Sequence, residues 1–244
     1  MNSPGITFEG SATIAGASVL PRIALDVAAG GWTCLLGPSG IGKSTLLRLI
    51  AGIADEAEFS GRIEASDGAS LGGRVALMSQ SDLLLPWLSV TENVMLGARL
   101  RGEAPEPARA AALIDEVGLA SHAAKKPDQL SGGQRQRAAL ARTLMEDRPV
   151  ILLDEPFSAL DARTRAQMQD LTARLLAPHT VLMVTHDPSE AARLGTAIAL
   201  LEEGGLRFWP APPGAPPRAV TDAATLETQG ALLASLRGAA EGAS

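Results

Sequence analysis

Residues 37–45 read Gly-Pro-Ser-Gly-Ile-Gly-Lys-Ser-Thr. They follow the apolar run Trp32, Thr33, Cys34, Leu35 and Leu36, and they precede Leu46, Leu47, Leu49 and Ile50 at helical spacing. A strand, the spacing G-x-x-x-x-G-K-[ST] and a helix, in that order, form a loop that binds the phosphates of a nucleoside triphosphate. The loop runs through Gly37, Pro38, Ser39, Gly40, Ile41 and Gly42. Its glycines let the backbone turn tightly and point N–H groups at phosphate oxygens, at the positive end of the following helix. Lys43 reaches the β- and γ-phosphates, the Ser44 hydroxyl is placed to ligate Mg²⁺, and Thr45 completes the motif.

The other motifs are spaced along 244 residues, a length that suits one large domain or two small ones. A formal net charge of −6 and the lack of any Lys/Arg run argue against nucleic acid as a partner. No apolar run approaches the roughly 18 residues of a membrane span, and the opening Met-Asn-Ser-Pro-Gly-Ile has no basic segment leading into an apolar one. A cytosolic chain, at most peripheral to a membrane, is expected. The single cysteine, Cys34, lies in an apolar strand and reads as a core residue.

In chain order, Ile6–Glu9 and Arg22–Val27 read as strands, and a short strand is expected at Arg62–Ala65 in an otherwise patternless stretch from 54 to 73. Arg74–Ser79 is a further strand ending at Gln80, whose amide oxygen could meet Mg²⁺ or a water, or simply end the strand. The character then changes to a helical section at about 82–147. It opens on the apolar cluster Leu83 to Leu88 and includes helices over 91–101 and 107–117. Ser131 is a good N-cap for an amphipathic helix, and Gly132, Gly133 and Gln134 follow it at a positive helix end. Val150–Leu153 is an apolar strand followed at once by Asp154, a candidate Mg²⁺ ligand, and Glu155, a candidate general base. Ser158 to Asp161 is a turn into a helix over 163–176. Thr180–Thr185 is a strand ending at His186, which reads either as a phosphate contact or as an ordinary strand-end histidine. A hairpin around Glu203-Gly204-Gly205, a Pro-rich linker at 210–217 and a terminal helix at 221–237 close the chain.

With these motifs in this order, the chain resembles the ATP-binding subunit of ABC transporters over roughly residues 5–235. Gly37–Thr45 matches the Walker A loop, Gln80 the Q-loop glutamine, Leu130–Gln134 the LSGGQ signature and Val150–Glu155 the Walker B strand with its catalytic glutamate. Ser158–Asp161 matches the D-loop and His186 the switch histidine. The resemblance implies an α/β P-loop core with an antiparallel β subdomain and an inserted α-helical subdomain that carries the signature. On that reading 1–209 is the ATPase domain and 210–244 an appended segment. It also implies ATP and Mg²⁺ as ligands and a head-to-tail pair of copies. Each ATP would lie between one copy's Walker A loop and the other's Ser131, Gly132, Gly133, Gln134 and Asp161. A separate membrane permease would dock near Leu83–Leu88, on the cytoplasmic face, and a separate solute-binding protein would complete the transporter.

One departure concerns the base. The family places an aromatic side chain upstream of Walker A to stack on adenine; this chain has no tyrosine, and Ile14 aligns there. Weaker base binding is expected, with the phosphate contacts retained. The stretch Leu84–Val94 looks like importers of taurine, alkanesulfonates, nitrate, or thiamine and its precursors. The competing reading is a soluble ABC-type ATPase serving repair, translation or cofactor assembly. Such proteins often carry paired cassettes, a long coiled coil or basic patches, and none is visible in this sequence.

Overall fold

The computed structural model describes residues 3–241. Met1 and Asn2 of the N-terminal stretch and 242–244 of the appended segment lie outside them. Among the described residues nine strands form two sheets. The first sheet is antiparallel, in the order β2 (Ala17–Val27), β1 (Ile6–Ile14), β4 (Glu58–Ala65). Strands β1 and β4 extend beyond their apolar ends through Gly10-Ser11-Ala12 and Glu58-Phe59-Ser60-Gly61. Apart from Phe59 these are poor strand formers, paired because Gly10 sits opposite Gly61 where two backbones approach closely.

The second sheet runs in the order β5 (Val75–Met78), β6 (Val150–Asp154), β7 (Thr180–Thr185), β3 (Trp32–Leu36), β8 (Ala197–Glu202), β9 (Gly205–Trp209). The first five are parallel and β9 is antiparallel. Strands β3, β6 and β7 are buried at every position, as expected of parallel strands covered on both faces. One core lies between the two sheets and takes in Leu46, Leu47 and Ile50 of α1 (Lys43–Ala51), which follows the phosphate loop. The other core covers the opposite face and reaches into the helical insertion between β5 and β6. That insertion holds α2 (Val90–Val94), α3 (Leu96–Arg101), α4 (Pro107–Glu116) and α5 (Gly132–Met145). The helix expected over 91–101 is therefore two, separated at Met95.

Three further helices follow: α6 (Ala162–Leu175), α7 (Pro188–Leu194) and α8 (Ala223–Glu241). Sequence periodicity missed α7, although Asp187 and Glu190 stand at the N-cap and third helical positions, a helix-start pattern. The Pro-rich segment is docked onto the core. Buried Arg218 donates to the Ala192 and Gly195 carbonyls at 2.9 Å each, and Leu232 of α8 is buried in the main core.

Candidate active site

In register, Leu36 stands beside Thr185, Asp154 beside Val184 and Met78 beside Leu153. The carboxyl ends of β3, β5, β6 and β7 thus share one edge of the sheet, the usual place for a ligand in an open α/β fold. The phosphate loop leaves β3 at that edge. Gly42 has φ 102°, and a Cβ there would run into the Val19 carbonyl oxygen. Gly37 is excluded from substitution differently, since a Cβ would lie 2.6 Å from the Leu201 carbonyl oxygen. Lys43 is buried and donates to the carbonyl oxygens of Gly37 at 2.7 Å and Pro38 at 2.8 Å. Burial lowers its pKa, and the nearby Glu155 and Asp154 charges oppose that shift.

A cavity of about 340 Å³ opens over the loop, lined by Ser39, Gly40, Gly42, Lys43, Ser44, Thr45, Gln80, Glu155 and Val19. Val19 was not foreseen. Ile14 lies at the tip of the β1–β2 hairpin opposite Ala17, on the arm whose returning strand carries Val19 to the cavity. Pro38 is exposed, and Ile41 packs against the inter-sheet core.

Glu155 sits where this cavity meets a second one of about 260 Å³, lined by Ser158, Arg165, Thr185, His186, Asp187 and Glu190 among others. Gln80 Nε2 donates to Glu155 Oε2 at 3.0 Å, and His186 Nδ1 lies 3.1 Å from Glu155 Oε1. Three residues from three strand ends, up to 106 positions apart in the chain, thus meet on one carboxylate. Glu155 has φ 48°, a conformation costing a non-glycine residue about 1–3 kcal/mol and characteristic of functional positions.

Next to it, Asp154 is buried and its Oδ1 has no hydrogen-bond partner, with the Ser44 hydroxyl nearby. Burial raises the Asp154 pKa, and the nearby Ser44 hydroxyl opposes the rise. An unpaired buried carboxylate oxygen, a hydroxyl and the free oxygen of the Gln80 amide are hard donors of the kind Mg²⁺ takes. Among the described residues there is no metal-holding group of three or more His, Cys, Asp or Glu. Such a sparse donor set fits a cation that receives its other ligands from phosphate and water.

The Ser131–Gln134 turn lines neither cavity. Ser131 caps α5, its Oγ accepting from Gln134 N–H at 3.2 Å while Gln134 Oε1 accepts from Ser131 N–H at 2.9 Å. Gly132 starts the helix, and a Cβ on Gly133 would lie 2.9 Å from Leu160 Cδ2. The Ser131–Gln134 turn therefore touches the 158–161 turn. Asp161 caps α6 through the Arg163 and Thr164 N–H groups, and these bonds lower its pKa. Arg165, also unforeseen, donates from Nη2 to the Leu160 carbonyl at 3.0 Å and from Nη1 to Asp187 Oδ2 at 3.2 Å.

The apolar cluster divides. Leu84 and Leu88 are buried, whereas Leu83 and Trp87 are 59 % and 65 % exposed. The buried Asn93 side chain pins the stretch by accepting from Leu85 N–H and donating to the Leu85 and Leu88 carbonyls. Arg142 of α5 donates to the Asp82 and Leu83 carbonyls at 2.7 Å each.

A phosphate loop and a paired carboxylate motif on a parallel sheet, with a helical insertion carrying a second capped glycine turn, define a P-loop ATPase of the cassette class. Residues 20–158 match the family model described as ABC transporter. The chain is 50% identical over 191 residues, 78% of its length and 75% of the relative's, to aliphatic sulfonates import ATP-binding protein SsuB 1 of Rhodococcus jostii (strain RHA1). It is 45% identical over 223 residues to the SsuB protein of Delftia acidovorans, covering 91% and 89% of the two chains. Among solved structures it is similar to the ATP-binding cassette MJ0796, a dimer in a post-hydrolysis state bound to ADP and Pi. The TM-score is 0.73, with 28% identity over 88% of this chain and 99% of the other. The chain belongs to the ABC transporter family as one of its ATP-binding subunits, and its activity is ATP hydrolysis coupled to transport.

Proposed function

We propose that two copies of this chain, arranged head to tail, hydrolyse ATP to power import of a small solute through a separate permease. The observation that carries the reading is the convergence of Gln80 and His186 on Glu155 beside the phosphate-loop cavity. The loop N–H groups and Lys43 hold the phosphates, and Lys43 exchanges its two carbonyl partners for phosphate oxygens. Glu155 orients the attacking water and accepts its proton, and His186 keeps the carboxylate aimed and contacts the γ-phosphate. Ser44, Asp154 and Gln80 would hold Mg²⁺, which supplies charge neutralisation between the β- and γ-phosphates. Ser131, Gly132, Gly133, Gln134 and Asp161 of the second copy complete the phosphate site from the other side. That accounts for a second anion-binding turn outside both cavities of its own chain.

Among the described residues no helix is long and apolar enough to cross a membrane; the permease is read as a separate partner, in keeping with the relatives named as import ATP-binding proteins. The permease would dock on exposed Leu83 and Trp87, with the chain working on the cytoplasmic face of a membrane; their exposure supports this. A solute-binding protein supplies the cargo. Aliphatic sulfonates are the cargo class named for the relatives and the one to test first. A mild-detergent pull-down from native membranes tests the reading. A polytopic permease is expected among the retained proteins, and reproducible recovery of soluble partners alone would favour a soluble ABC-type ATPase.

A further inference from the structure

Behind the His186 turn lies a carboxyl group that the mechanism above does not use. Glu190 of α7 is 3 % exposed. Its Oε2 accepts from the Thr185 hydroxyl at 2.6 Å, and the same hydroxyl oxygen accepts from the Asp187 N–H at 3.0 Å. The Thr185 side chain therefore spans His186, tying the residue before it to the backbone of the residue after it. With its proton committed to Glu190, the hydroxyl presents lone pairs to Asp187. Glu190 thus sets the direction of the whole arrangement. It is itself anchored in the first turn of α7, which Asp187 caps through Ser189 N–H at 2.8 Å.

We propose that Glu190 is a positioning residue for ATP hydrolysis: by holding the Thr185 hydroxyl, it fixes the backbone turn that keeps His186 against Glu155. The inference rests on the reading that His186 and Glu155 act together. Because the bond is buried, Glu190 also makes that positioning sensitive to pH. Burial pushes the Glu190 carboxyl up to about 7, with the Thr185 bond opposing it. The charged and titratable groups facing it are Asp187 and His186 from the turn, Arg165 from α6 and Cys34 from β3. Asp187 adds to the rise, and Arg165 and His186 oppose it. A carboxylate accepts more strongly than a neutral acid. The Thr185 bond tightens, and turnover rises, as pH increases through this range.

The test is steady-state hydrolysis of Mg-ATP by the full chain, with ATP affinity measured separately, from pH about 6 to 8.5. Glu190→Leu and Thr185→Val are each expected to lower kcat roughly tenfold with ATP affinity within about twofold, and the double variant to be no worse than either. Glu190→Gln still accepts from Thr185, so it keeps kcat within about threefold of the wild type but loses the rise through neutral pH. Wild-type kcat in Glu190→Leu, or an unchanged pH rise in Glu190→Gln, overturns the proposal. If Glu190→Leu does not fold, the pH profile of Glu190→Gln decides alone. His186→Ala separates the two levels. Slow turnover in His186→Ala beside wild-type turnover in Glu190→Leu overturns this proposal alone, and full turnover in His186→Ala overturns the parent reading and this proposal with it.

Discussion

Lys43 donates to two carbonyls of its own loop, so its charge is already satisfied where a phosphate would take over. Removing it leaves those bonds unmade and the phosphates without a charge-assisted partner. Lys43→Ala should weaken ATP binding by about 1.5–3 kcal/mol, roughly 10- to 150-fold; unchanged affinity by calorimetry would remove the loop from the binding site. At the proposed base end stand aliphatic Val19, which lines the cavity, and Ile14 at the hairpin tip. Ile14→Tyr should gain about 0.5–1.5 kcal/mol of stacking, a several-fold tighter ATP Kd, and no change would mean that the hairpin tip does not reach the base.

Glu190 carries a stability prediction of its own. Its carboxyl rises from an ordinary 4.5 to about 7 on folding, so the folded state favours the protonated form. The associated stability is fully present below about pH 4.5, falls away as pH climbs towards 7 and is gone above it. Glu190→Gln has no such loss. Its melting temperature relative to the wild type should increase between about pH 4.5 and 7 and level off above, by an amount corresponding to at most about 3 kcal/mol; a pH-independent difference would contradict the buried carboxyl.

Among the elements, those bounded by motif spacing were legible in sequence: β3 and its loop, β6 with Asp154 and Glu155, β7 with His186, and α5 with its Ser131 cap. In each, a continuous apolar run or a cap stands next to a chemically specific residue, so the local pattern and the fold agree. The full lengths of β1 and β4 were not legible, because their glycine- and serine-rich segments become strands here only through pairing, β1 with both β2 and β4, and β4 with β1. Nor was Arg165, four residues beyond Asp161 and recognisable only once Leu160 and Asp187 are brought to it.

That guanidinium joins two turns. Leu160 belongs to the turn packed on Gly133, and Asp187 follows His186, so Arg165 links the Ser131–Gln134 turn to the His186 turn within one chain. Lysine cannot reproduce the planar fork. Arg165→Lys should lower kcat by about tenfold while leaving ATP affinity within about twofold. A fall in affinity with kcat retained would make Arg165 a nucleotide contact instead. A similar connection runs outward: Arg142, on the helix that Ser131 caps, holds the carbonyls of Asp82 and Leu83, two and three residues beyond Gln80. Leu83 has φ 47°, so this junction, like Glu155, stores backbone strain.

At the scale of the whole molecule, the two anion-binding turns lie apart in one chain, and a head-to-tail pair brings each to the other's partner. On the proposed reading ATP acts as the adhesive between copies, its hydrolysis releases them, and Leu83 and Trp87 on the helical insertion would pass that cycle to the permease. The most direct test is the mass of Glu155→Gln in solution with Mg-ATP, by analytical ultracentrifugation, with turnover measured on the same sample. The account predicts a stable dimer that forms only with nucleotide and turns over at least about 100-fold more slowly than wild type, because binding is kept while the general base is lost. A monomer that hydrolyses ATP at the wild-type rate would contradict it.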